Sequence, residues 1–227
     1  TLYGTLDGPL MVLGLYQHNG VFLRSLGDHI HFQIPFWRNL LWDNGCVAGT
    51  PDNCQQLMQA KEHILVYPGG GREVMKNDGE QYQLIWKERT GFARMAMQHG
   101  YDIVPFAAIG ADDAFDIHYD ANDFQQSAVG QLLQKSGISD KYLRGGDAFA
   151  PITTGLGLLP RPEKFYFAFG ERISTQEVSH EADDKSSQWQ VREQVAASIY
   201  GLMEDLFAIR EKDQATWPTW RKKLTRR

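Results

Sequence analysis

Cysteine is scarce in this 227-residue chain: Cys46 and Cys54 are the only two, eight positions apart. Two cysteines do not make a disulfide framework, and that spacing matches no common zinc pattern, so a reducing compartment is the simple reading. Long apolar runs are missing as well, and none approaches the ~20 residues that span a bilayer. Net charge is only −5, which gives no global reason to expect nucleic acid as a partner. There is no Gly-x-Ser-x-Gly for a hydrolase nucleophile. The glycines lack the Gly-Lys-Ser/Thr ending of a nucleotide loop and the Gly-x-Gly-x-x-Gly of a dinucleotide fold. At 42% hydrophobic and 22% charged, the composition is that of a globular domain with a real core.

The chain is organised around Ile64-Leu65-Val66-Tyr67-Pro68-Gly69-Gly70-Gly71-Arg72-Glu73. This reads as a buried strand that stops at a proline and enters three glycines, an arginine and a glutamate. Glycine allows positive φ and close approach of a ligand to the backbone. N–H groups in such a turn face an anion, and an arginine adds a planar charged fork. A plain strand-to-loop turn with a surface Arg–Glu pair fits the same residues.

Around it the pattern predicts an α/β layered fold, a mixed sheet flanked by helices. Asp7–Asn19 reads as a buried helix capped by Asp7 and ended by Gly20. His29 and His31 alternate as on a strand, and no further ligands accompany them, so no metal site is expected. Phe32, Phe36, Trp37 and Trp42 read as core, or as contacts to acyl chains or a membrane interface. Thr50-Pro51 opens a helix to about Lys61 with Leu57 and Met58 inward. Val74–Trp86 reads as a polar surface loop ending in Leu84-Ile85-Trp86. Thr90 caps a helix over 91–99, and Pro105 ends or edges a strand over 102–109.

Asp112, Asp113, Asp116, Asp120 and Asp123 read as a solvated acidic loop rather than a calcium loop, whose spacing and bidentate glutamate they lack. Residues 124–147 read as a helical excursion, 148–163 as a loop and Lys164–Phe169 as a strand. Val191, Val195, Ile199, Leu202, Met203, Leu206 and Ile209 predict a helix over about 187–212, packed on the sheet. Residues 1–212 then form one domain. The tail 213–227 holds Trp217, Trp220 and five basic residues, and reads as a weak anchor for anionic headgroups or as a disordered tail. Apolar residues begin at once at Thr1, without initiator methionine or signal pattern, as in a chain that starts inside a longer protein.

Val66-Tyr67-Pro68-Gly69-Gly70-Gly71-Arg72-Glu73, Ile103-Val104-Pro105-Phe106, Gly110-Ala111-Asp112-Asp113 and Asp28–Trp37 together resemble the phospholipid/glycerol acyltransferase superfamily. The likeness is to its diacylglycerol-acyltransferase-like and phytyl-ester-synthase-like branch, over roughly 1–175. The resemblance implies a glycerolipid-acyltransferase-like fold and an O-acyltransferase moving a fatty acyl group from acyl-CoA or acyl carrier protein to a lipid hydroxyl. It implies no cofactor beyond that donor, and a location on the cytoplasmic side of a membrane, peripheral or anchored by a segment outside this chain. Asp7 matches the aspartate that orients a histidine base. The usual gap would put that histidine at Leu2; a looser one puts it just before Thr1, with His18, His29 and His31 as weaker substitutes. Gly69, Gly70, Gly71, Arg72 and Glu73 match the block that binds the acceptor. Gly69 departs from the superfamily's glutamate, and an acceptor without phosphate would need Arg72 less. A non-catalytic lipid- or carrier-binding homologue and a lipid ester or thioester hydrolase are the alternatives.

Overall fold

The computed structural model describes residues 6–33, 35–136 and 149–225. Helix α1 (Asp7–Asn19) ends as expected at Gly20, whose left-handed backbone (φ 67°) lets its N–H reach the Tyr16 carbonyl. Asp7 is the first helical residue rather than the cap, and Leu10, Leu13 and Tyr16 are exposed, so α1 is buried on one side only. Strand β1 (Leu23–Gly27) follows. His29–Gln33 is a 3-10 turn, not a strand, and Pro35–Asp43 forms helix α2; Pro35 sits at its start, where the missing N–H costs nothing.

Strand β2 (Val47–Ala48), α3 (Pro51–Gln59) and β3 (His63–Leu65) come next. Thr50 caps α3 by accepting from the Asn53 N–H, and Leu57 and Met58 are buried beneath it. β1 lies between β2 and β3, parallel to both, with Leu26 opposite Val47 and Arg24 opposite Ile64. The glycine turn therefore leaves the C-terminal edge of a small parallel sheet, where α/β folds gather their functional loops.

After the one-turn helix α4 (Gly71–Val74), residues 75–90 lead to α5 (Gly91–His99). The expected surface loop is partly interior: Trp86 is 1% exposed and Lys76 and Asn77 are buried, while Asp78, Gly79 and Gln83 are exposed. Thr90 does not cap α5 with its side chain; its hydroxyl donates to Gln188 at 2.7 Å, deep in the core. Strand β4 (Phe106–Ile109) begins just after Pro105, and Ile103 makes only an isolated bridge to Ile173. β4 pairs antiparallel with β7 (Tyr166–Phe169), and β5 (Asp116–Tyr119) pairs antiparallel with β6 (Ile152–Thr154). Helices α6 (Ala121–Gln126) and α7 (Ala128–Lys135) lie between, and the rest of the expected excursion, 137–148, lies outside the described residues.

The acidic stretch is not a solvated loop. Asp112 and Asp120 are buried, Asp113 and Asp116 pair with Arg210 and Arg161, and Asp120 caps α6 in a reciprocal box with Asp123. Among the described residues no three His, Cys, Asp or Glu side chains gather as for a metal.

Helix α8 (Lys185–Thr216) lies across β4 and β7. Val195, Ile199 and Leu206 join Trp86, Ala107 and Ile109 in the main core, while Val191 meets Ala93 and Met97 of α5. Ile209, on the predicted stripe, is 53% exposed, and the side chains that face the body beyond Leu206 are Arg210, on Asp113, and Asp213, which accepts from the Tyr166 hydroxyl of β7. The helix runs past residue 212, and α9 (Thr219–Thr225) follows a turn at Trp217-Pro218. The tail is thus ordered to Thr225: Trp217 is buried and its indole N–H donates to Asp213 at 2.8 Å. No described helix is long and apolar enough to cross a membrane.

Candidate active site

β3 delivers Val66-Tyr67-Pro68 to the wall of a cavity of about 90 Å³. Its apolar walls come from Val66, Trp86, Phe106 of β4, and Ile199 and Met203 of α8. Its polar wall comes from Asp7, Glu73, Lys76 and Asp112. Carboxylates and an ammonium facing an apolar cavity are costly unless each is paired, and the structure shows how they are held.

Asp7 opens α1 and is 3% exposed, and its Oδ1 accepts the Gly8 N–H at 2.8 Å. Tyr67 is packed edge-on against Phe106. Burial, and then the Asp7 and Glu73 carboxylates, push its phenol well above the ordinary range, so it stays protonated beside them. A β-carbon on Gly8 would sit 3.5 Å from the Tyr67 hydroxyl, which puts that phenol against the start of α1.

The glycine turn is an internally satisfied structure. Gly70 adopts φ 56°, ψ −139°, a backbone essentially reserved for glycine. Glu73, 7% exposed, turns back so that Oε2 accepts the Gly69 N–H at 2.9 Å while Oε1 accepts the Trp86 indole N–H at 2.7 Å. The Arg89 guanidinium donates to the Gly69 carbonyl. Arg72 reaches away from the cavity: one amino group meets both Glu80 carboxylate oxygens at 2.5 and 2.6 Å, and the other donates to the Met75 carbonyl at 2.9 Å. The anion-facing N–H and the charged fork expected of this block are thus engaged with the protein itself. Of the block, Tyr67, Pro68 and Glu73 line the cavity, and Gly69, Gly70, Gly71 and Arg72 are not among its lining residues.

The far wall is a buried ionic network. Lys76 donates to Asp112 at 2.7 Å, both nearly inaccessible. Tyr82 holds a left-handed backbone (φ 59°), locked at both ends: its N–H donates to Asp112 at 3.0 Å and its hydroxyl to Asp113 at 2.5 Å. Arg210 of α8 pairs with Asp113 and, at 3.2 Å, with Glu163. These contacts tie the cavity to the long helix.

Asp7, Glu73 and the root of the glycine turn come together at the cavity; Arg72 stands behind it, and the aromatic group stands elsewhere. Phe36 is 81% and Trp42 is 52% exposed; Phe32 packs on Trp42 at 6.5 Å, under an Arg38 guanidinium 4.9 Å from that ring. The Trp37 and His29 side chains lie outside the described residues. Among the described residues no histidine lines the cavity. Tyr67, Lys76, Tyr82, Trp86, Arg89 and Asp112 were not legible as site residues. Tyr67 sits inside the glycine block and could have been read from it, whereas the others lie in stretches that read as loop.

Fold and site together define a mixed α/β domain in which the residues flanking a glycine turn, Tyr67, Pro68 and Glu73, line an apolar cavity edged by buried carboxylates. Residues 17–207 match the profile of the diacylglycerol acyltransferase family, and the chain belongs to that family. It is 34% identical over 220 residues to phytyl ester synthase 2, chloroplastic, of Arabidopsis thaliana, covering 89% of this chain and 31% of the relative. Phytyl ester synthase 1, chloroplastic, of the same plant is 34% identical over 177 residues, covering 74% and 25%. The bovine DGAT1/2-independent enzyme synthesizing storage lipids is 34% identical over 92 residues, covering 40% and 27%. The chain spans less than a third of the length of these relatives. No solved structure matches it.

Proposed function

We propose that this domain transfers a fatty acyl group from a thioester, acyl-CoA or acyl carrier protein, to the hydroxyl of an uncharged lipid at a membrane surface. The acceptor oxygen attacks the thioester carbonyl, its proton passes to an imidazole oriented by Asp7, and the departing thiolate takes that proton as free thiol. The observation that carries this reading is the buried Asp7 carboxylate on the same apolar cavity as Tyr67, Pro68 and Glu73, the residues that flank the three glycines. Engagement of Arg72 with Glu80 supports an acceptor without phosphate, such as diacylglycerol or a long-chain alcohol. Two relatives carry the name phytyl ester synthase, and a phytyl ester is an acyl group on a long apolar alcohol.

The test incubates full-length protein with labelled acyl-CoA and, separately, diacylglycerol, phytol, a lysophospholipid or water alone. Acyl-lipid product is expected with the uncharged acceptors. Asp7→Asn should reduce it about a hundredfold or more, the scale of a lost base-orienting carboxylate, without lowering the melting temperature. No product with any acceptor would overturn the reading, and free fatty acid alone would make the domain a hydrolase. The absence of histidine from the cavity lining among the described residues favours a second reading, a non-catalytic lipid- or carrier-binding homologue. Saturable lipid binding without turnover in the same protein would establish it.

A further inference from the structure

Gly155-Leu156-Gly157-Leu158-Leu159-Pro160-Arg161-Pro162 folds into a tight hairpin beyond β6. Gly157 takes φ 67°; the Gly155 N–H donates to the Gly157 carbonyl at 3.0 Å and the Leu156 N–H to the Leu159 carbonyl at 2.7 Å. A β-carbon on Gly155 would lie 2.3 Å from the Leu159 carbonyl oxygen and 2.8 Å from that of Ala114, so only glycine lets the hairpin seat there. The Arg161 N–H donates to the same Ala114 carbonyl at 2.9 Å, and its guanidinium pairs with Asp116. The root is therefore fixed on Ala114 and Asp116, just after Asp112 of the cavity.

The tip of this rigid hairpin points leucines outward. Leu158 is 92%, Leu159 69% and Leu156 41% exposed. Leaving such side chains in water forgoes the free energy of burying them. Helix α9 docks beside the same loop: Arg221 Nε donates to the Pro162 carbonyl at 3.0 Å. That helix turns out Trp220 (56% exposed) and Leu224, with Lys223 exposed between them and Lys222, also exposed, holding its ammonium on the Ala215 carbonyl at 2.8 Å. Exposed leucines, an amphipathic tryptophan and adjacent ammonium groups on one hydrogen-bonded unit complement an anionic bilayer: hydrocarbon, interface and headgroup charge in turn.

We propose that the Leu156–Leu159 hairpin and α9 form one membrane-contact surface. The leucines enter the acyl region, while Trp220, Lys222 and Lys223 sit among anionic headgroups. This rests on the membrane-surface part of the proposed function. Vesicle binding needs no acyl donor, so it can fail or succeed independently of catalysis.

The test floats full-length protein with vesicles of phosphatidylcholine, alone or mixed with phosphatidylglycerol. Binding is expected to favour the mixed vesicles. Leu158→Ser with Leu159→Ser should weaken it about tenfold or more with an unchanged melting temperature, because both side chains contact solvent. Lys222→Glu with Lys223→Glu should abolish the preference for phosphatidylglycerol and its salt dependence. Wild-type binding by the serine pair overturns the proposal, as does a lipid preference that survives the glutamate pair. If the serine pair binds vesicles normally but changes oligomeric state, the hairpin is a protein contact and the proposal is likewise overturned.

Discussion

The Cγ of Glu73 lies 2.1 Å from where a β-carbon on Gly69 would stand, and the Ile85 carbonyl oxygen lies 2.5 Å from the same point. The side chain that position 69 lacks is replaced by one reaching back from position 73. Gly69→Ala therefore forces the turn apart. A loss of about 1–3 kcal/mol is expected in chemical denaturation, the usual effect of overpacking a filled site, together with loss of any acyl-transfer activity. Unaltered stability would mean that the turn is loose.

Glu73→Gln keeps the shape and changes the chemistry. A carboxylate accepts from the Gly69 N–H and the Trp86 indole together; an amide accepts at one end and presents a donor at the other. One buried donor is left facing another, with an expected loss of about 1–3 kcal/mol. Trp86 packs edge-on to Phe92, so a change in near-ultraviolet circular dichroism should accompany it.

Arg72 and Glu80 form a pair whose side chains are 10% and 26% exposed. Arg72→Ala should lower stability, and the same change in a Glu80→Gln background should lower it less, with a coupling of about 0.5–3 kcal/mol in a double-mutant cycle. If Arg72 instead held the acceptor, its loss would raise KM and leave stability unchanged. The two roles are separable by these measurements.

The Lys76–Asp112 pair sets a pH dependence. Burial works against ionisation of Asp112, but the terminal ammonium, then the Lys76 ammonium and the Tyr82 N–H, outweigh it and hold its carboxyl below the ordinary range. A depressed folded-state pKa adds stability above the unfolded value of about 3.9, and that stability is lost as pH falls through the folded value. The stability gap between wild type and Asp112→Asn should be widest near neutral pH and should close on acidification below about pH 4. A gap independent of pH would show that Asp112 is not ionised in the native protein.

Local signals carried much of the architecture. Gly20 and Thr50-Pro51 act on their own neighbours through backbone sterics and single hydrogen bonds, so the element ends they mark are visible in one dimension; Pro105 was legible as a break, but the strand starts after it. The apolar period of α8 is local in the same sense. The site was half legible. Asp7 and the glycine block were readable as motif, but the direction of Arg72 was not, because Glu80 lies in a stretch of mixed polarity that has no period. Residues 74–86 read as surface since they are polar; Lys76, Asn77 and Trp86 are interior, and Lys76 and Tyr82 meet Asp112 and Asp113 of another element.

By itself, the amino-acid sequence determined the α/β order, the glycine turn and its branch of the acyltransferases, since these depend on residue type and spacing. Only the tertiary structure decided what the charged groups do. Whether a carboxylate or guanidinium faces a ligand, a neighbour or water depends on which residue the fold brings beside it. Here Gly69 and Trp86 meet Glu73, which lines the cavity, and Glu80 meets Arg72, which stands behind it.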